Sequence, residues 1–381
     1  MLLLLLIVAL AIGLFYSVLQ LEISGTWKFF IIFAEMAFIG WGLIKQYKLP
    51  SEMGLILVKS KKGLTIIESL AKKEKLFNFM SDVGNAMAYG LLSKVIIKKG
   101  SIVSLVTGLF LLGVISFLVA PTAFVFLFKV MQIGTVEKSV STLTDGVDFG
   151  LALITLILLV GGLSLFILAG VIFYGGVVLS AIIQTFLFGA DTISGISPGG
   201  TFLLPGVNLP LFEGILALLV VLVAHEGAHA VLTRIAKIPL LSSGIVLFGI
   251  IPVGAFIEPD EKKLNRVDDL RQTRVLVAGP AANLLTSVVF FILFIGLVVL
   301  INNLEILQVG VIGSAAKFVY YTLGLTFALN FIVGAVNLLP LPLFDGFRVI
   351  DINIKNKTAV KALMYVTLFF FVLNFLPWLF R

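Results

Sequence analysis

The chain has 381 residues, of which 60% are hydrophobic and 12% charged, with a formal net charge of +7, 34 Phe, two His and no Cys. A soluble globular chain carries roughly 45–50% apolar and 25% charged residues, so this one cannot cover a water-exposed surface of its size. That excludes a soluble enzyme, a disordered chain and a nucleic-acid-binding module, and it leaves a multi-pass membrane protein. The lack of Cys excludes disulfides, thiolate-held zinc, iron–sulfur clusters and thiol nucleophiles.

A helix needs about 20 apolar residues to cross a bilayer. In chain order the runs that qualify are 1–20, 27–44, 102–128, 211–233, 275–301, 318–339 and 358–380. Met1–Gln20 lacks a basic leading region and a small-residue cleavage site, so it reads as a retained span rather than a signal peptide. The stretch 149–190 contains no charged residue. As one helix it would extend about 60 Å, roughly twice a hydrocarbon core, and it is expected to form two spans turning near Tyr174-Gly175-Gly176. The total is then about nine.

Basic residues set the orientation. Residues 45–99 hold eleven Lys against four acids, 234–274 hold seven Lys/Arg and 348–361 hold four. The loops between are poor in them, with two Lys in 129–148, none in 190–210 and one in 302–317. Positive-inside places the three basic loops in the cytoplasm, the N-terminus inside and Arg381 outside, and the alternation requires 149–190 to cross twice. Within 45–99, Leu64, Ile67, Leu70 and Ala71 recur at helical spacing between Lys62 and Lys72. That pattern predicts short helices on the anionic leaflet or a basic solvated face.

Both histidines lie in Ala224-His225-Glu226-Gly227-Ala228-His229, inside the span 211–233. The i, i+4 spacing puts the two imidazoles on one helix face, close enough to share an ion. Glu226 stands beside them, able to accept a proton from an activated water. Three ionisable groups within a span are costly and point to function. His225 precedes Arg234 by nine residues, which is roughly 13 Å of helix rise and sets the site nearer the cytoplasmic face. A third ligand must be a carboxylate, for no third His exists. Glu213 is about 18 Å of rise away on the same helix, and Glu35, mid-span in 27–44 without an identifiable partner, reads as structural. Asp345 follows the span 318–339 in Asn337-Leu-Leu-Pro340-Leu-Pro342-Leu-Phe-Asp345-Gly346. The two prolines preclude a regular helix there, and broken backbone at membrane depth is tolerated only where it lines a cavity or is buried in protein. Asp345 is the best third ligand.

His-Glu-Gly-Ala-His followed by Asn-x-x-Pro-x-Pro-x-x-Asp-Gly, with Gly279-Pro280-Ala-Ala-Asn283 between them, resembles the site-2 protease family of intramembrane zinc metalloproteases over residues 205–350. Phe344 stands where the family has Leu before Asp-Gly. The resemblance implies Zn²⁺ held by His225, His229 and Asp345, Glu226 as general acid/base, and Asn337 and Asn283 as polar groups near the metal or the substrate backbone. The partners it implies are a transmembrane protein substrate and the bilayer. Ser242–Glu258 is too short to span and is broken by Gly249, Pro252 and Gly254. Its β-branched content suggests a hairpin turning around Gly249–Gly254, which in relatives dips into the membrane and offers a strand edge to the substrate.

The expected fold is therefore an all-α polytopic membrane protein of about nine transmembrane helices with a membrane-re-entrant β-hairpin near 242–257. Its segments are an N-terminal pair (1–44), a basic cytoplasmic loop (45–101), accessory helices (102–204), a metalloprotease core (205–350) and a C-terminal helix (351–381). Two other readings compete with the intramembrane protease. One is a membrane metalloprotease taking Glu258 or Glu261 as third ligand. The other is a divalent-metal transporter or metal-binding scaffold, which would ordinarily carry internal repeats that this chain lacks.

Overall fold

With so little charge in the chain, long apolar helices dominate the fold, and two of them continue through Gly175-Gly176 and Pro280. The computed structural model describes residues 2–23, 25–52, 54–60, 64–96, 100–131, 147–189, 192–201, 203–304 and 309–380. Most of the expected outer loop 129–148, and Arg381, lie outside them. Among the described residues seven helices are long and apolar enough to cross a membrane: Phe30–Tyr47, Ile102–Val130, Gly150–Phe188, Leu211–Ile235, Asp269–Asn303, Gly310–Val336 and Lys357–Phe380. Ala9–Gln20 is a shorter apolar helix. The expected count of nine is not reproduced, and the difference lies at the two ends of the N-terminal half.

One helix covers Val147–Phe188, and its interruption is at Gly162 (φ 63°, ψ −160°), not at Tyr174-Gly175-Gly176. At Gly175 a Cβ would lie 2.8 Å from a Phe370 ring carbon and 3.1 Å from Asn374 Nδ2, so that glycine admits the C-terminal helix Lys357–Phe375 instead of making a turn. At Gly162 a Cβ would lie 2.5 Å from the Ala88 carbonyl. There only glycine combines the left-handed φ with so close a backbone approach. A second irregularity, the π-turn Ile115–Val119, has a direct cause. The Ala120 N–H reaches back five residues to the Ile115 carbonyl just ahead of Pro121, which has no N–H to offer.

The basic segment 45–99 is more than an interfacial layer. Its first helix, Leu64–Ala71, buries no residue. The next, Glu74–Tyr89, buries Ser81, Val83, Gly84, Asn85, Ala86, Met87, Ala88 and Tyr89. It packs between Asp269–Asn303 and Ile102–Val114. Small residues make the approach possible: a Cβ on Gly84 would lie 2.0 Å from Ala281 Cβ, and one on Gly108 2.5 Å from Ala86 Cβ. A bidentate pair fixes the register, with Arg274 Nε and Nη2 donating to the Asp82 carboxylate at 2.8 and 2.7 Å.

The expected hairpin forms as β3 (Leu240–Phe248) and β4 (Ile251–Pro259), joined through Gly249, whose φ is 63°. Two N-terminal strands extend it, β1 (Ser51–Glu52) and β2 (Leu55–Ser60), into an antiparallel sheet of order β1-β2-β3-β4. β4 is the outer strand and packs against the helix Leu211–Ile235. The hairpin tip meets the span Gly25–Tyr47. The Phe33 and Phe248 rings pack with centroids 4.9 Å apart and planes tilted by 39°, and a Cβ on Gly249 would lie 2.8 Å from the Met36 carbonyl oxygen. Lys59 of β2 reaches across β3 to Glu258 of β4 at 2.8 Å, and Ser242 also donates to that carboxylate. These hydrogen bonds hold the Glu258 carboxyl below its ordinary range. The tie is thus complete above the ordinary glutamate pKa and is lost as pH falls through the lowered value.

The Asp82–Arg274 pair generates a test of how far the N-terminal segment supports the core. Asp82→Ala strands the partly buried guanidinium and is expected to destabilise the chain by roughly 2–3 kcal/mol, somewhat less than a fully buried pair. The double variant Asp82→Ala/Arg274→Ala should recover part of that loss in thermal unfolding of the detergent-solubilised chain. Strict additivity of the two substitutions would contradict the pairing.

Candidate metal centre

The buried stripe of the helix Leu211–Ile235 runs through Gly214, Ala217, Val221 and His225, a period of three to four residues that turns His225 toward the core. His229 follows one turn later, with the ring centroids 4.8 Å apart and the planes at 75°. The helix Asp269–Asn303 faces this pair with a ridge at four-residue spacing. Its first member, the Val275 carbonyl, accepts from His229 Nδ1 at 2.7 Å. The second is Gly279, where a Cβ would lie 2.4 Å from His229 Nε2 and 2.6 Å from His225 Nε2. The third is Asn283, fully buried, with its carboxamide 3.1 Å from His225 Nδ1. The ridge orients one imidazole, leaves a gap, and orients the other.

Asp345 arrives from the opposite side. The helix Gly310–Val336 ends, and Pro340 and Pro342 keep the chain from continuing it. Asn337 closes the turn: its Nδ2 donates to Val333 (2.9 Å), and its carbonyl accepts the Gly346 N–H at 2.8 Å. Gly346 has to be glycine, because a Cβ there would lie 2.2 Å from the Leu338 carbonyl oxygen. Asp345 opens the short helix Asp345–Asn353, with its Oδ2 at 3.2 Å from His225 Nε2 and 3.3 Å from His229 Nε2. The two Nε2 atoms are 3.2 Å apart.

This donor set fits a cation. With Nδ1–H of His229 given to Val275, its Nε2 presents a lone pair, and Asp345 Oδ2 is buried without a hydrogen-bond donor. If His225 also presents Nε2, its Nδ1 carries the proton and requires an acceptor. Asn283 Oδ1, buried without a partner, becomes that acceptor when the carboxamide is turned end for end. Three acceptors at mutual distances of 3.2–3.3 Å repel one another unless a cation or proton lies among them, and Gly279 keeps the space for it.

The site residues read from sequence separate clearly in space. His225, His229, Asp345 and Asn283 come together, and Glu226 lies within charge–charge range of both histidines and Asp345. Asn337 serves the turn that delivers Asp345, with its carboxamide bonded within its own helix. The competing third ligands are engaged elsewhere: Glu258 with Lys59 and Ser242, and Glu261 with Arg348 at 3.3 Å. Glu35 has both carboxylate oxygens buried and unpartnered among the described residues. Gly279 was visible in the sequence only as part of a motif, and its spatial role emerges from the crossing of two helices.

Gly279→Ala tests the gap directly. Its methyl group would occupy the space between the two Nε2 atoms, so the purified variant should retain its fold and lose stoichiometric metal in elemental analysis. Full metal content in that variant would show that the ion sits elsewhere.

Comparison with known proteins finds one family over this part of the chain. The sequence profile of peptidase family M50 matches residues 213–375, which contain both histidines, the Gly279–Asn283 ridge and Asp345. An uncharacterized protein of Methanocaldococcus jannaschii is 36% identical over 80 residues, 21% of this chain and 22% of that protein. The alignment thus spans about a fifth of that relative's length. No solved structure matches the chain. Residues 213–375 of the chain thus match peptidase family M50, the site-2 protease family that its motifs resemble.

Proposed function

We propose that the chain is an intramembrane zinc endopeptidase that cuts peptide bonds within the transmembrane segments of other membrane proteins. One observation carries this reading. His225 Nε2 and His229 Nε2, on a helix long and apolar enough to span a bilayer, converge with Asp345 Oδ2 from the turn after Val336, with Glu226 adjacent. Two imidazoles and a carboxylate are a donor set of catalytic zinc sites, and zinc bound there would supply Lewis acidity toward water and the scissile carbonyl.

The chain's own groups supply the rest. Val275 and Asn283 fix the imidazole orientations, as outer partners of metal ligands do. Glu226 takes the proton of the attacking water and delivers it to the leaving nitrogen, general acid–base work in one carboxylate. A helical substrate must be unwound before a peptide bond is accessible. The outer edge of β4, packed against the histidine helix, offers backbone groups on which an extended segment adds as a strand. The basic run 234–274 follows the histidine helix directly, which supports a site nearer the cytoplasmic face.

Glu226→Gln preserves the shape of the side chain and removes its basicity. In a reconstituted assay with a helical membrane substrate it should lower turnover by about 10²–10⁴-fold while zinc content stays at the wild-type level. Retained cleavage would exclude Glu226 as the proton carrier.

A further inference from the structure

The matched family segment begins at residue 213, yet the turn that carries Asp345 leans on a group outside it. The reason lies in backbone chemistry. In a continuing helix the Leu338 carbonyl would accept from the N–H of residue 342, but residue 342 is Pro and has none. A buried carbonyl without a donor is costly. Among the described residues the donor that reaches it is Ser164 Oγ, at 3.0 Å and buried. Leu338 is also the surface on which the aspartate turn rests: the position of a Cβ on Gly346 is 2.2 Å from the Leu338 oxygen and 2.4 Å from its carbonyl carbon. Displacing that carbonyl displaces Asp345–Gly346.

Ser164 is itself held by an unusual crossing. It lies two residues beyond the interruption at Gly162, where two left-handed glycines meet back to back. A Cβ on Gly90 (φ 55°) would lie 2.4 Å from the Leu159 carbonyl oxygen, and one on Gly162 would lie 2.6 Å from the Gly90 nitrogen. This contact locks the helix Val147–Phe188 onto the end of Glu74–Tyr89. The latter is anchored in turn by Asp82 to Arg274, near the start of the helix that carries Gly279 and Asn283. The chain of contacts therefore closes on the metal centre from both sides.

We propose that Ser164 is a positioning residue for the metal centre: by donating to the Leu338 carbonyl it sets where Asp345 presents its carboxylate to His225 and His229. This rests on the reading that those three residues hold the ion. The test uses the full chain in detergent micelles and reads zinc affinity by chelator competition together with the visible spectrum of the Co²⁺-loaded protein. Ser164→Ala should weaken zinc binding about tenfold, the low end of what losing a group bonded directly to a metal ligand costs, and should alter the Co²⁺ spectrum. Ser164→Thr, which keeps the hydroxyl, should bind as wild type. Thr155→Ala, which removes a hydroxyl bonded only within the same helix to Leu151, should change neither readout. Unchanged affinity and spectrum in Ser164→Ala, or an equal loss in Thr155→Ala, overturns the proposal while leaving the metal centre intact. A wild-type chain that binds no metal overturns both.

Discussion

Three lone-pair donors, His225 Nε2, His229 Nε2 and Asp345 Oδ2, are pressed to within 3.3 Å of one another in a region built of apolar helices. In a low-dielectric setting this arrangement is unfavourable without a positive charge among them. Everything around it serves to keep the three groups converging and to leave room for that charge. The histidine helix supplies two candidate ligands from one face, the helix Asp269–Asn303 supplies orientation and space, and the turn after Val336 brings the carboxylate. Because the centre joins elements more than a hundred residues apart, its integrity reports on the packing of the whole core.

That packing depends on small residues more than on large ones. Gly279 is bare where the ion would sit, Gly346 lets the aspartate turn rest on Leu338, Gly84 lets a polar helix approach Ala281, and Gly90 and Gly162 let two backbones touch. In a lipid setting, helices gain little from hydrophobic exclusion, and close approach through small residues is a principal source of association. The large aromatics fill the space this leaves, as where Phe126 packs on Phe294 and Phe327 and against the bare Gly324. Two side chains serve carbonyls at the start of the proline turn: Asn337 Nδ2 donates to Val333 and Ser164 Oγ to Leu338.

The candidate metal ligands stood out in the sequence because their chemistry tolerates few substitutes. With two histidines and no cysteine, one carboxylate had to complete the set, and the prolines before Asp345 marked irregular backbone at the right depth. The hairpin was legible from its β-branched run and its glycine. Other features were not, for identifiable reasons. Gly175-Gly176 resembles a break, but Gly175 is a packing glycine, while the real interruption at Gly162 depends on the Gly90 backbone supplied from far away in sequence. The helix Glu74–Tyr89 reads as polar because Gly84, Asn85 and Ala86 carry little hydropathy, yet small size is what admits it to the core. β2 reads as part of a basic loop until β3 provides its pairing partner. The part of Asn337 in the turn and of Asn283 beside His225 follow from contacts that no spacing rule contains.

The central claim is that two imidazoles and the Asp345 carboxylate hold one zinc ion within the membrane core. X-ray absorption at the zinc edge of the purified full chain, compared with Asp345→Ala, tests it most directly. The account predicts one zinc per chain in a first shell of nitrogen and oxygen at about 2.0–2.2 Å, with the multiple-scattering signature of two imidazoles, and loss or rearrangement of that shell when Asp345 is removed. A shell without imidazole, or one that the Asp345 substitution leaves unchanged, would contradict it.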